Sequence, residues 1–278
     1  MPRDVRQATD GSHGPSRASL AMPLAPTPPV CYAGEAQRAA AEEVASRLGS
    51  KLHAGMPDDP DQGIFLLVGV GGLWLCGDGL RTQGDLVRLL PRLAPHALAR
   101  ELLVRAARTR GVEQPHAIDA TAGMGEDSLL LAAVGFEVDL YERDPVICEL
   151  LRDALRRASE HPKLEPAAAR MHLHGEDSTE ALRALAEEAT RPDVVFLDPM
   201  FPARQKSALV KKKFQLMHQL EAPAADEGAL LEAALAACPR KIVVKRPSKG
   251  PFLAGRKPSY SIGGKAVRYD VIVPPPLG

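Results

Sequence analysis

Cysteine is scarce and scattered in this 278-residue chain. Cys31, Cys76, Cys148 and Cys238 form no CxxC pair, and no clustered histidines accompany them. Neither a disulfide framework nor a zinc site is expected on that spacing; reduced thiols in a cytoplasmic protein are. Long apolar runs are absent as well. The densest, Ile64–Val70, is far too short to span a bilayer. No basic start followed by an apolar core and a cleavage site opens the chain, so secretion is not expected, nor is a membrane partner. Net charge is missing too: 35 Lys+Arg balance 35 Asp+Glu. That excludes a uniformly basic, histone-like chain. No internal repeat is present.

What is present is an ordinary globular composition, 45% hydrophobic, at a length that fits one large domain or a main domain with a small companion. Residues 1–30 are rich in Pro, Ser, Gly and Ala and lack any helical or strand period, so a disordered leader is expected. Met22 lies inside it and is read as an alternative start, which N-terminal mass spectrometry of the native protein would test. Residues 31–111 read as a small α+β region. Glu35–Leu48 has helical spacing. Two strands, residues 63–70 and 73–76, are expected to be joined by a Gly71-Gly72 turn. Residues 85–110 read as helix interrupted at Pro91 and Pro95.

From residue 112 onward strand and helix alternate. The short apolar strands are Ala117–Asp119, Val138–Tyr141, Met171–His174, Val194–Leu197 and Ile242–Val244, with a further strand at Val267–Val273. Helical stretches fall between them at Asp127–Val134, Val146–Ala158, Ser178–Ala189 and Gly228–Ala237. Such a series implies an α/β fold with a parallel sheet covered on both faces, and ligands bind beyond the carboxyl ends of its strands.

Four of those ends carry chemistry. After the first strand, Asp119-Ala120-Thr121-Ala122-Gly123-Met124-Gly125-Glu126-Asp127 runs straight into a helix. Gly123 and Gly125 let the backbone turn tightly and let a ligand approach it. The full GxGxxG fingerprint is missing, and Asp119 favours a ligand carrying a cation over a phosphate. A tight turn without a ligand is the plainer alternative. The second strand ends in Glu142-Arg143, where a carboxylate can accept hydrogen bonds from both hydroxyls of a ribose. Asp177-Ser178, after the third strand, suits either an adenine amino group or the N-cap of the next helix, with Ser178 as the cap. The fourth strand leads into Asp198-Pro199-Met200-Phe201-Pro202. A carboxylate there can hold the N–H groups of an exocyclic amine and turn its delocalised lone pair towards an electrophile. Phe201 offers a face on which a base stacks, and the prolines stiffen the loop. A strand-ending proline turn over a core Phe is the alternative.

Together these motifs resemble a class I S-adenosylmethionine-dependent methyltransferase of the N-methylating kind. The longer string Val195–Pro202, continued by Gln205–Lys212, is similar to the ribosomal RNA small subunit methyltransferase J family, as are Asp119–Gly123, Glu142-Arg143 and Val243–Pro247. The resemblance covers about residues 112–273. It implies a Rossmann-like fold with a mostly parallel seven-stranded sheet, a methyltransferase domain over residues 112–278, and methyl transfer to guanine N2 in small-subunit (16S) ribosomal RNA, free or in the assembled subunit. It also implies cofactor contacts by Glu126, Asp127, Glu142, Arg143, Asp177, Ser178 and Asp198. Three departures from the family's pattern stand out: Glu126 replaces a usually basic residue, one residue is added near Glu176, and Leu73–Arg81 carries little positive charge where the family has an Arg- and Gly-rich segment. Rival readings are a methyltransferase of the same fold acting on another RNA base, a small molecule or a protein glutamine, and a non-catalytic rRNA-binding assembly factor; a nicotinamide oxidoreductase is more distant.

The zero balance divides unevenly. Residues 1–202 hold 21 Lys+Arg and 30 Asp+Glu, a net −9, whereas residues 203–278 hold 14 and 5, a net +9. A basic segment therefore follows the Asp198 loop directly, where a polyanion would lie. Lys206, Lys211, Lys212, Lys213, Lys245, Arg246 and Lys249 are the expected phosphate contacts, with a solvated helix face as the plainer reading of Lys211–Lys213.

Overall fold

The computed structural model describes residues 27–57, 63–188, 191–199, 216 and 226–275. The leader residues 1–26 and the post-loop lysines of 206–213 lie outside them.

Two sheets make up the structure. The first is built from β1 (Val30–Tyr32), β2 (Leu52–Ala54), β3 (Phe65–Gly69), β4 (Gly72–Gly77) and β5 (Leu80–Thr82), in the order β2-β1-β3-β4-β5. Helix α1 (Arg38–Leu48) packs on it after a single 3₁₀ turn and ends at Gly49, whose φ of 59° closes the helix in the left-handed region. The β3–β4 hairpin forms, but its turn is one residue earlier than expected. Gly69 pairs with Gly72, which leaves Val70-Gly71 at the tip. In this register Phe65–Val68 pair with Cys76, Leu75, Trp74 and Leu73, so four apolar residues each meet an apolar partner. The Gly71-Gly72 turn would instead have paired Leu66 with Gly77.

The segment from Val87 to Ala107 is broken into a 3₁₀ turn (Val87–Leu89), α2 (Leu90–Leu93), α3 (Pro95–Leu98) and α4 (Leu102–Ala107). Pro95 divides the helices as expected. Pro91 does not interrupt: it sits in the first turn of α2, where a missing N–H costs nothing.

The second sheet carries the βα series: β6 (His116–Asp119), α5 (Glu126–Ala133), β7 (Glu137–Tyr141), α6 (Pro145–Ser159), α7 (Glu165–Ala168), β8 (Met171–His174), α8 (Ser178–Glu187), β9 (Val194–Leu197), α9 (Glu227–Ala236) and β10 (Lys241–Pro247). Then come β11 (Tyr260–Gly263) and β12 (Val267–Ile272). The order is β11-β12-β10-β9-β6-β7-β8, with β6 to β10 parallel and only β12 reversed, so that its pairings with β10 and β11 are antiparallel. This is the mostly parallel seven-stranded Rossmann-like sheet. β9 is buried along its whole length because both faces are covered. One face packs Val138, Leu140, Phe196 and Val243 against Leu129 and Leu131 of α5 and Leu151 of α6. The other packs Ile118, Val195 and Val244 against Leu182 of α8 and Leu230 of α9.

The chain leaves β6 for β7 on one side and reaches β9 on the other, so a crevice opens at their carboxyl ends. The first sheet leans on α6: Leu73 and Leu75 share a core with Val146 and Leu150. Arg47 of α1 grips the buried Glu149 with Nε and Nη2, both at 2.9 Å. No helix among the described residues is long and apolar enough to cross a membrane, and the four cysteines are free thiols.

Candidate active site

The crevice is assembled from strand ends. Asp119 closes β6 and is almost fully buried. Its Oδ1 accepts from the Thr121 amide at 3.1 Å and its Oδ2 from the Ser128 hydroxyl on α5. The loop then turns through Gly123 (φ 53°) and Gly125 (φ 73°) into α5. A methyl group on Gly125 would lie 2.7 Å from Leu151 Cδ1. Gly125→Ala therefore meets both backbone strain and a clash, and we expect it to lower the unfolding free energy by about 1–2 kcal/mol. Chemical denaturation checks this; unchanged stability would show that the loop does not need glycine there.

Glu142, at the end of β7, is tied to that loop. Its Oε2 accepts from the Gly123 amide (3.0 Å) and its Oε1 from the Asp144 amide (2.8 Å). Each oxygen keeps lone-pair capacity towards the crevice. Asp144 caps α6 by accepting from Val146 and Ile147. Asp177, not Ser178, caps α8, accepting from the Thr179 amide at 2.8 Å. Ser178 is instead the first helical residue and is buried. Arg143 stands 4.0 Å from Asp177, so the ends of β7 and β8 carry a loose ion pair.

Asp198 follows β9. Its amide donates to Thr121 Oγ1 at 2.6 Å, stitching the fourth-strand loop to the first. Pro199 is buried next to it; Phe201, Lys206, Lys211 and Lys212 lie outside the described residues. Lys245, from β10, reaches between two carboxylates, Asp127 Oδ2 at 2.5 Å and Asp198 Oδ2 at 2.9 Å. Burial pulls its ammonium pKa down, but the two carboxylates outweigh that and leave it raised. Burial pushes Asp198 up while Lys245 pulls it back, with a net rise. Tyr269 shares this environment and is raised by burial, then by Asp127.

Three of the expected contact residues have partners within the protein. Lys245 is committed to Asp127 and Asp198 rather than offered to a phosphate. Arg246 is turned inward and is 1% exposed, its Nη1 bonded to Glu227 Oε1 at 3.0 Å and its Nε to the Pro251 carbonyl at 3.1 Å. Alternation along β10 puts it on the face opposite Lys245, under α9. Glu126 pairs with Arg88, ahead of α2. Thr121, Ser128 and Tyr269 belong to the site although no spacing rule singles them out; their partners are neighbours only in the fold.

Asp119 and Glu142 are both held well above ordinary carboxylates, at about 7. Burial is the main cause in each, opposed by Ser128 and Thr121 for Asp119 and by the Asp144 and Gly123 amides for Glu142. Between roughly pH 4 and 7 the folded chain thus keeps protons that the unfolded chain has released, so stability falls as pH rises through that window. A cation seated against these groups favours their ionised forms. Its binding is expected to release protons near pH 7 and to tighten from pH 6 to pH 8. Calorimetry in buffers of different ionisation enthalpy reads this directly, and Glu142→Gln should diminish the release. Binding with no proton release would contradict the assignment.

Comparison with known proteins bears on the chemistry. Residues 90–274 match the family model described as "Putative SAM-dependent methyltransferase". Proteins named ribosomal RNA small subunit methyltransferase J align over most of the chain. The one from Thioalkalivibrio sulfidiphilus is 43% identical, covering 87% of this chain and 96% of its own length. One from Pseudomonas aeruginosa is 41% identical, covering 86% and 92%. The crystal structure of a SAM-dependent methyltransferase from Neisseria gonorrhoeae superposes with a TM-score of 0.66 at 31% identity, covering 88% of this chain and 95% of that one.

Proposed function

Because the chain belongs to the ribosomal RNA small subunit methyltransferase J family of S-adenosylmethionine-dependent methyltransferases, we propose that it methylates the exocyclic N2 of a guanine in small-subunit ribosomal RNA. The observation that carries this reading is the Asp198 carboxylate at the end of β9, held by Lys245 and tethered through its amide to Thr121.

The crevice suits the cofactor by the chemistry of its donors. Asp119, Glu142 and Asp198 gather carboxylates where a sulfonium and an ammonium would sit, and Glu142 has acceptor capacity for two ribose hydroxyls. When bound, S-adenosylmethionine supplies a methyl group on a sulfonium that leaves as a neutral thioether. The protein's own part is positioning. Asp198 accepts a hydrogen bond from the base amine and turns its lone pair towards the methyl carbon. An amine that gains a methyl group turns acidic and would give up a proton. Asp198, lifted by burial above an ordinary carboxylate, is a better acceptor for its proton. Lys245 fixes the carboxylate's orientation. The target guanine must leave its stack to reach the crevice. We place this activity in the cytoplasm, on free rRNA or the assembled subunit.

Transfer of tritiated methyl groups to small-subunit rRNA from a strain lacking this protein, followed by nucleoside analysis, tests the reading. Label in N2-methylguanosine is expected. Label only in another nucleoside, in protein or in a small molecule would overturn it.

A further inference from the structure

At the pole of the second sheet opposite the crevice, an open cleft of about 370 Å³ lies between the end of α4 and the starts of β10 and β11. Among the described residues it is lined by Arg105, Arg108, Thr109, Arg110, Arg240, Lys241 and Tyr260, none of them a carboxylate. Two of the cations are occupied. Arg240 Nε pairs with Asp193 at 2.7 Å. Lys241 Nζ donates to the Ala106 and Arg108 carbonyls at 3.3 and 2.8 Å, which caps α4 with a positive charge and fixes the chain that carries the arginines. Arg105, Arg108 and Arg110 are exposed, and their side chains form no hydrogen bond or ion pair among the described residues. Elsewhere Arg47, Arg92, Arg157 and Arg268 each hold a carboxylate.

Like charges so gathered repel unless an anion lies among them, and guanidinium forks match phosphate oxygens. The exposed Tyr260 ring beside them supplies a stacking face. We propose that this cleft is a second RNA-binding site, taking the phosphodiester backbone on Arg105, Arg108 and Arg110 and an unpaired base on Tyr260. The proposal rests on RNA being the substrate. It assigns to the far pole a grip on RNA remote from the target base. Lys241 and Lys245 are four residues apart on one strand, so the two poles are roughly 13 Å apart along it.

The test is binding of small-subunit rRNA to the full chain, followed by fluorescence anisotropy across a salt series. The triple variant Arg105→Gln/Arg108→Gln/Arg110→Gln should bind at least 10-fold more weakly at physiological salt. Its slope of log affinity against log salt should be shallower by about 2. Tyr260→Ala should weaken binding with the slope unchanged. A control triple, Arg38→Gln/Arg156→Gln/Arg170→Gln, removes three exposed arginines elsewhere and should change neither quantity; thermal unfolding verifies that all variants fold. Unchanged affinity and slope in the cleft triple overturn the proposal, as does an equal loss in the control. Methyl transfer by the wild type is scored separately. Its absence defeats the proposed function, while the anisotropy still decides the cleft. A wild type that binds no RNA defeats both.

Discussion

Asp198→Ala is expected to lower kcat for methyl transfer to rRNA by roughly 10²- to 10³-fold, the usual scale for losing one preorganised charge at a reacting centre. The substitution removes the carboxylate at the end of β9 that is proposed to accept from the base amine, while the backbone stays anchored. The Asp198 amide still donates to Thr121 Oγ1, because that bond does not involve the side chain. Lys245 keeps Asp127 as a partner, so no buried cation is stranded. The fold should therefore persist, with the thermal midpoint within a few degrees of the wild type. Tritiated-methyl transfer measures the loss. Wild-type kcat in a folded Asp198→Ala protein would remove Asp198 from the chemistry.

Lys245→Met acts through the same carboxylate with a different signature. Both Asp127 Oδ2 and Asp198 Oδ2 contact Nζ, so the two oxygens are at most about 5.4 Å apart. Without the ammonium between them, the Asp198 carboxylate faces that of Asp127 with no cation to pull its pKa back down. Asp198, already raised by burial, rises further. A raised acid is ionised only at higher pH, so methyl transfer at pH 7 should fall at least tenfold and recover as pH increases. The midpoint of the pH–rate profile should move up by more than one unit. Stability runs the other way. The folded chain now holds on to a proton that the unfolded chain releases near pH 4, so the stability penalty grows as pH rises above that point. A rate loss with no shift of the profile would make Lys245 merely structural.

The parallel core of this fold was open to sequence reasoning. Met171–His174 and Val194–Leu197 occur as read, and β6, β7 and the helices between them differ by a residue or two at their ends. Apolar runs spaced by amphipathic helices encode such elements locally. β1, β2, β5 and β11 were not legible: each is a three- or four-residue strand that exists through its sheet partner rather than its own pattern. The acidic strand ends were visible because each terminates an apolar run. Who pairs with whom was not. Lys245 and Asp127 are 118 residues apart, and charge counting alone assigned that lysine, with Arg246, to phosphates. Period two along β10 distinguishes the faces of the two residues, but only the helix over one face says which is buried.

The hydrogen bond from the Asp198 amide to Thr121 Oγ1 has a thermodynamic counterpart. It joins the glycine loop after β6, where the proposed function seats the cofactor, to the Asp198 loop, where it seats the base. Whatever displaces Thr121 displaces the amide that sets Asp198, so occupancy of either half biases the other, and by the same factor in both directions. On the proposed function, cooperative binding of cofactor and RNA is the expected result, and Thr121→Val, which keeps the shape and removes the acceptor, is the substitution expected to abolish it.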